Sequence, residues 1–119
     1  MIRKEQYPVE LILEHIRSPN KRVVLDGDSV RVKGVRMESF VVHGIVCVRC
    51  GLTGAYFVKE KTTDEDTSWH LNLYAINSRG CEVLMTRDHI MPRSKGGSED
   101  ISNMQTMCLT CNGLKADKF

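Results

Sequence analysis

The chain has 119 residues, which is the size of one small domain. Its formal net charge is only +2, no apolar run is long enough to span a membrane, and no apolar signal segment stands at its start. These features argue against a transmembrane or secreted protein. Residues 1–49 carry nine Lys and Arg against six Asp and Glu, an excess that suits either phosphate contacts or a mixed solvated surface.

Five cysteines are present, and four of them form two Cys-x-x-Cys pairs. Without a secretory signal, a reducing cytoplasm and a structural zinc ion explain these thiols better than disulfides do, and the alternatives are a redox pair or incidental free thiols. Four thiolates would leave the ion no open coordination position, so this zinc should not be catalytic. A domain of this size gains much stability from such a metal. The predicted ligands are Cys47, Cys50, Cys108 and Cys111.

The first predicted helix covers residues 7–17. Val9, Ile12, Leu13 and Ile16 recur at helical spacing, and Pro8 suits a first turn. The Ser-Pro-Asn sequence that follows should end it. We interpret this helix as one that packs on a core.

Residues 21–46 are rich in valine and predict β structure, with turns at 26–28 and 33–34. Basic side chains alternate with valines here. They would form either a surface that tracks phosphates or the solvated side of an ordinary antiparallel sheet. The basic residues concerned are Arg22, Arg31, Lys33 and Arg36.

The central segment begins with residues 59–68, which are highly charged and predict a solvated loop or hairpin tip. Residues 69–77 then alternate apolar and polar side chains, and residues 81–88 return as a second strand after a turn at 77–80. This hairpin would place Asp88 and His89 at a strand end. A short strand over 101–107 and a helix over 110–118 should follow, with Asn112 and Lys115 on one helix face.

Asp88, His89 and Asn112 are the residue types that phosphodiester hydrolysis requires. A neutral imidazole can take a proton from water near neutral pH. A carboxylate and an amide oxygen suit a hard cation such as Mg²⁺ or Mn²⁺. We therefore expect His89 to act as general base, with Asp88 and Asn112 as ligands of a catalytic divalent cation.

The motif that carries these residues also contains Pro92, a Gly-Gly pair at 96–97, Asp100, Asn103, the second Cys-x-x-Cys pair and Lys115. In this order and spacing the last third of the chain resembles the HNH endonuclease family. Asn112 stands where the family name has its final His, a variant that active members also use.

The resemblance implies a ββα-metal core and the roles just given to Asp88, His89 and Asn112. It further implies that Asn103 braces the loop and orients His89, and that Lys115 contacts phosphate, with Arg93 and Lys95 as further phosphate contacts. A non-catalytic zinc module that binds nucleic acid or protein on the same scaffold is the alternative.

The expected fold is therefore α+β: a small zinc-stapled domain with a ββα-metal core, an N-terminal helix and an antiparallel β-hairpin extension. Residues 1–46 would form an extension that contacts DNA, and residues 47–119 a zinc-anchored nuclease domain. No sequence-reading motif is visible, so binding to DNA should have low sequence specificity. By resemblance, small HNH proteins of this kind suit a phage or a mobile element, and hence the cytoplasm of a bacterial or phage-infected cell.

Overall fold

The computed structural model describes residues 1–65 and 68–116. Its centre is a five-stranded antiparallel sheet, which consists, from one edge to the other, of β1 (Ile2–Pro8), β4 (Gly54–Lys61), β5 (His70–Ile76), β6 (Glu82–His89) and β7 (Met104–Cys108). A separate hairpin joins β2 (Arg22–Leu25) to β3 (Asp28–Arg31), and the helices of the described residues are α1 (Val9–Arg17), α2 (Val35–Val42) and α3 (Leu109–Lys115). The predicted α+β class is confirmed, including its N-terminal helix and hairpin.

Helix α1 confirms the first predicted helix, with Ile12, Leu13 and Ile16 buried. It begins at Val9 because Tyr7 belongs to β1, where its hydroxyl donates to Asp26 at 2.6 Å. Strand β1 was not predicted. Its residues are mostly exposed and polar because it lies at the sheet edge, so they carry no apolar alternation.

Helix α2 corrects the β prediction for residues 35–42. Met37 and Phe40 are buried three positions apart, and Val41 packs beside them, which is a helical spacing that the neighbouring valines conceal. The β prediction is right for the β2–β3 hairpin. Its turn contains Asp26 at φ 50° and Gly27 at φ 84°, as a tight two-residue hairpin turn requires.

The prediction of a solvated loop over residues 59–68 is wrong for residues 59–61, which belong to strand β4. Lys59 and Glu60 are almost fully buried in this strand, where each is neutralised by a partner of opposite charge. The Lys59 ammonium contacts Glu5 and Asp28 at 2.9 and 2.7 Å, so composition alone misjudged its burial. Residues 66 and 67 of the predicted loop lie outside the described residues.

The β5–β6 hairpin is confirmed. Leu71, Leu73 and Ala75 alternate inward along β5 and are buried, as the sequence pattern predicts. Phe40 of α2 meets Phe57 of β4 edge to face, with ring centroids 6.1 Å apart, so α2 closes the core over this face of the sheet.

The C-terminal unit is a strand, a strand and a helix: β6, β7 and α3. A 3-10 turn at Ile101–Asn103 replaces the start of the predicted strand, and the predicted helix begins one residue earlier, at Leu109. Residues 117–119 lie outside the description.

Residues on both sides of the predicted boundary between 46 and 47 share the main sheet. No helix among the described residues has the length and apolar character needed to cross a membrane.

Candidate functional site

Four thiols meet where the turn after α2 approaches the junction of β7 and α3. All four sulfur atoms lie within 4.8 Å of one another, and the Sγ atoms of Cys50 and Cys108 are 3.8 Å apart. A tetrahedral zinc ion with Zn–S bonds of about 2.3 Å requires sulfur atoms about 3.8 Å apart. The cluster therefore fits one zinc ion bound by four thiolates: those of Cys47, Cys50, Cys108 and Cys111.

Backbone geometry prepares this cluster for a metal. Gly51 has φ +79° and donates its N–H to the carbonyl of Cys47 at 2.9 Å, which closes the knuckle turn. Burial opposes ionisation of Cys47, but backbone N–H groups, first that of Cys108, lower its pKa to about 6. Burial, reinforced by neighbouring thiols, raises the pKa of Cys111 to about 12. Negatively charged thiolates at these distances repel one another, and a divalent cation between them would remove this repulsion. Cys81 is exposed and lies outside the cluster.

A separate cavity of about 330 Å³, which none of the four cysteines lines, opens on the strand–strand–helix unit. Asp88 and His89 reach it from the end of β6, and Asn112 reaches it from α3. Arg87 and Arg93 also line it. The structure thus brings the three predicted catalytic side chains to one cavity, together with two positive charges.

Asp88 is buried and already faces a positive charge. Its Oδ2 accepts hydrogen bonds from Lys115 Nζ at 2.7 Å and from Gln105 Nε2 at 2.9 Å. Lys115 also donates to the carbonyl of His89 at 2.6 Å. The predicted phosphate contact, Lys115, is thus an ion-pair partner of Asp88 in this state of the protein.

Asn112 faces the cavity with its position fixed by one hydrogen bond. Its Nδ2 donates to Thr86 Oγ1 at 2.9 Å, and Thr86 in turn donates to the carbonyl of Met107 at 2.7 Å. Within residues 1–65 and 68–116 no donor contacts the amide oxygen of Asn112, so this oxygen can act as an acceptor. A carboxylate and an amide oxygen on one cavity fit a hard cation. The ammonium group of Lys115, which contacts Asp88, shows that this carboxylate accepts a positive charge there.

His89 is bonded to a residue that the sequence analysis missed. Its Nε2 lies 3.1 Å from Glu99 Oε2, and the same carboxylate contacts Arg93 Nε at 2.9 Å and Arg87 Nη1 at 3.4 Å. The hydrogen bond from His89 is the main cause that lowers the pKa of Glu99. Glu99 thus occupies the point where an imidazole and two guanidinium groups converge.

Asn103 braces the loop between β6 and β7. Its side chain accepts from the N–H of Met91 at 2.9 Å and donates to the carbonyls of Met91 and Ser98 at 3.1 and 2.8 Å. Gly97 is required in this loop because a Cβ atom there would lie 1.7 Å from the carbonyl oxygen of Met91. Within the described part of the chain, the side chain of Asn103 makes no hydrogen bond to the His89 ring.

The remaining predicted phosphate contacts differ in position. Arg93 lines the cavity and its side chain is 74% exposed, while Lys95 is exposed on the same loop outside the lining. The sequence analysis also missed Gln105, which sits directly opposite Asp88 in the β6–β7 register. The hairpin register was the available signal for Gln105, whereas no sequence signal indicated Glu99.

These features define a class of protein: a small α+β domain with a four-cysteine cluster that fits a zinc ion, beside a polar cavity on a strand–strand–helix unit. Residues 77–118 match the model of the HNH endonuclease family, which confirms the resemblance over that segment. Neither a curated protein nor a solved structure matches the chain. The HNH family consists in general of nucleases, and the thiol cluster lies partly within the matched segment.

Proposed function

We propose that this protein is an endonuclease that hydrolyses phosphodiester bonds of DNA with the help of a divalent cation. The observation that supports the proposal most is that Asp88, His89 and Asn112 line one cavity although they come from two different elements. A module that only binds has no need of a base, a carboxylate and an amide oxygen at the same place.

His89 acts as the general base in this proposal. Its Nε2 is engaged by Glu99, so we assign the proton to Nε2 and the free lone pair to Nδ1. Nδ1 takes the proton from the attacking water. Asn103 acts on the loop beside His89 and holds it in one conformation.

Asp88 and Asn112 hold the cation, Mg²⁺ or Mn²⁺. When bound, it supplies charge neutralisation at the phosphate and at the leaving oxygen. Arg87 and Arg93 attract the phosphate to the cavity, and Lys115 holds Asp88 in place through its contacts with the carboxylate and with the His89 carbonyl. Lys95 adds positive charge nearby. These contacts address the backbone of the nucleic acid, so we expect little sequence preference.

The four-cysteine centre has a structural role. It fixes the first turn of α3, and Asn112 follows Cys111 directly in sequence. Thiolate ligands persist in a reducing compartment, which supports the cytoplasm as the place of action.

A second candidate function is binding of nucleic acid without cleavage. It is favoured by the contacts that already satisfy both reactive groups: the ion pair of Lys115 with Asp88 and the hydrogen bond of His89 with Glu99.

Nicking of supercoiled plasmid distinguishes the two functions. The zinc-loaded protein is incubated with plasmid and either Mg²⁺ or Mn²⁺, beside His89→Ala and the matched control His15→Ala, which alters a histidine of α1 far along the chain. We expect His89→Ala to lower the nicking rate by about 10²–10⁴-fold, the usual contribution of a general base. The control should keep the rate. Equal nicking by both variants, or none by the unaltered protein with any divalent cation, would leave only binding.

A further inference from the structure

A second cavity, of about 310 Å³, lies between the end of β3, the start of α2 and the start of β5. Its lining contains no carboxylate, and one of its residues, Arg87, also lines the catalytic cavity. The two cavities are therefore neighbours. The charged and titratable residues of the second one are Arg31, Lys33, Arg36, His70 and Arg87.

Arg36 is the most informative member of this basic cavity. Its Nη2 donates to the carbonyl of Leu71 at 2.8 Å, and no carboxylate of the described residues pairs with it. Burial lowers the pKa of Arg36, and the nearby charge of Arg87 lowers it further. A guanidinium has five N–H donors, and a poorly hydrated cation without an anion is unfavourable. Arg36 thus carries a positive charge that no carboxylate of the described residues balances, whereas Arg87 contacts Glu99 at 3.4 Å.

The neighbouring cations do not relieve this imbalance. Lys33 places its ammonium on the carbonyls of Ile16 and Ser18 at the end of α1, so it brings charge but no counterion. Arg31 is exposed, donates its Nε to the carbonyl of Lys33 at 3.0 Å, and forms no ion pair within 1–65 and 68–116.

Other cations of the protein contrast with these. Lys59, which is fully buried in β4, and Arg3, an exposed residue of β1, are each matched by two carboxylates. The same chain therefore pairs cations with carboxylates where they serve the fold. The absence of such partners around Arg31 and Arg36 points to an anion from outside.

We propose that the basic cavity binds a backbone phosphate of the nucleic acid. This phosphate site rests on the proposed function in one respect only: the nucleic-acid strand is taken to continue past Arg87 into the catalytic cavity. Arg36 and Arg87 then bind from the cavity wall and Arg31 from the rim, and the phosphate replaces the missing counterion. The start of α2 adds partial positive charge on the same side.

Binding without cleavage tests the inference. A fluorescein-labelled DNA duplex is titrated with zinc-loaded protein carrying His89→Ala, without added Mg²⁺ or Mn²⁺, and anisotropy is recorded at several salt concentrations. Arg31→Glu is compared with Arg79→Glu, an equal charge change at an exposed turn outside the cavity. Arg36→Gln is a second variant that removes the partly buried charge and keeps a donor for Leu71. Thermal melts verify that each variant folds.

We expect Arg31→Glu and Arg36→Gln each to weaken binding about tenfold or more and to reduce the salt slope by about one, as loss of one phosphate contact predicts. Arg79→Glu should change the affinity less than twofold. Equal losses for Arg31→Glu and Arg79→Glu, or no loss for either cavity variant, would overturn the inference.

Inorganic phosphate distinguishes a free anion from a nucleic-acid backbone. If millimolar phosphate raises the melting temperature of the protein but not of Arg36→Gln, while duplex affinity is the same for both, the cavity binds free phosphate and the inference fails. The outcome is independent of catalysis. Cavity variants that weaken binding in a protein that never nicks plasmid would uphold the phosphate site and remove the nuclease proposal.

Discussion

The two faces of the strand–strand–helix unit contrast in chemistry although they meet at one peptide bond. Cys111 belongs to the sulfur cluster, and Asn112, the next residue, faces the cavity that Asp88 and His89 line. On the cluster side all four ligands converge, and three of the four are buried. On the cavity side the carboxylate, imidazole and amide are separate, and each is bonded to a protein group.

This difference fits the two roles that the proposed function assigns to the two sites. A closed zinc site would need no exchange with solvent and would stabilise the fold. An active site must exchange water and substrate, and the polar residues of the cavity are held by an ion pair and by hydrogen bonds that a substrate or cation can displace. We expect perturbations of the first side to act on folding and those of the second to act on activity.

Removing the sulfur ligands should have the largest effect. Structural zinc sites contribute about 10–16 kcal/mol in small domains, which equals or exceeds the about 5–15 kcal/mol by which a domain is stable. The change of Cys47, Cys50, Cys108 and Cys111 to Ser should therefore abolish the cooperative thermal transition, as should a strong zinc chelator. Zinc occupancy should also fall as pH is lowered, because the thiolates take up protons.

Cys81→Ser is the matched control, since this exposed thiol lies outside the cluster. It should retain the melting temperature and one zinc ion per chain, measured by circular dichroism and metal analysis. A four-serine variant that melts sharply at the temperature of the unaltered protein would contradict the assignment of a structural zinc site.

Lys115→Met should come next, on the cavity side. It leaves the buried Asp88 carboxylate without its cation, and loss of one partner of such a pair costs about 3 kcal/mol or more. Mg²⁺ or Mn²⁺ should then raise the melting temperature of the variant more than that of the unaltered protein, because the cation takes over from the ammonium. Lys95→Met, an exposed lysine, is the control. A variant with no greater response to the cation would argue against Asp88 as a ligand.

Glu99→Gln should have a smaller effect, on substrate binding. Its carboxylate contacts Arg87, His89 and Arg93, so it competes with a phosphate for these groups. Removing the charge should lower the KM for plasmid about threefold, which is the scale of exposed ion pairs. A KM that is unchanged or raised would exclude this competition.

The effect of Glu99→Gln on KM should also depend on pH. The hydrogen bond from His89 lowers the pKa of Glu99 from its ordinary 4.5, so Glu99 is charged throughout pH 5–8. The advantage of Gln should therefore persist over this range and decline only as the pH falls through the lowered pKa.

Thr86→Val should have the smallest effect. It removes the hydroxyl that accepts from Asn112 and donates to Met107, at about 1 kcal/mol for one hydrogen bond. We expect a nicking rate a few-fold lower and a slightly reduced melting temperature. Thr110→Val, the same change on the sulfur side of α3, should leave the rate unaltered. Equal rates for the two variants would show that Thr86 does not position Asn112.

Much of the fold was predictable because its signals are local. Cysteine pairs with a two-residue spacing form knuckle turns by themselves, and the alternation of Leu71, Leu73 and Ala75 marks a strand without knowledge of its neighbours. The sequence spacing of Asp88, His89 and Asn112 likewise predicted that they lie together. In the structure they line one cavity, because a hairpin and a short helix bring these positions together.

Other features depend on partners distant in sequence. Residues 35–42 form a helix because Met37 and Phe40 pack on the sheet, and β1 is a strand because β4 is there to pair with it. Lys59 is buried because Glu5 and Asp28 approach it from elements far away in the chain. Local propensity carries no information about such contacts.

The sequence by itself therefore predicted the four-cysteine cluster, the residues that line the cavity and the turns that connect them, since each depends on spacing over a few residues. Only the tertiary structure decided which polar groups face one another: Lys115 and Asp88, Glu99 and His89, and Arg36 and Arg87. The physical reason is that a charge is governed by distance in space, and the chain fixes such distances only after the sheet has formed.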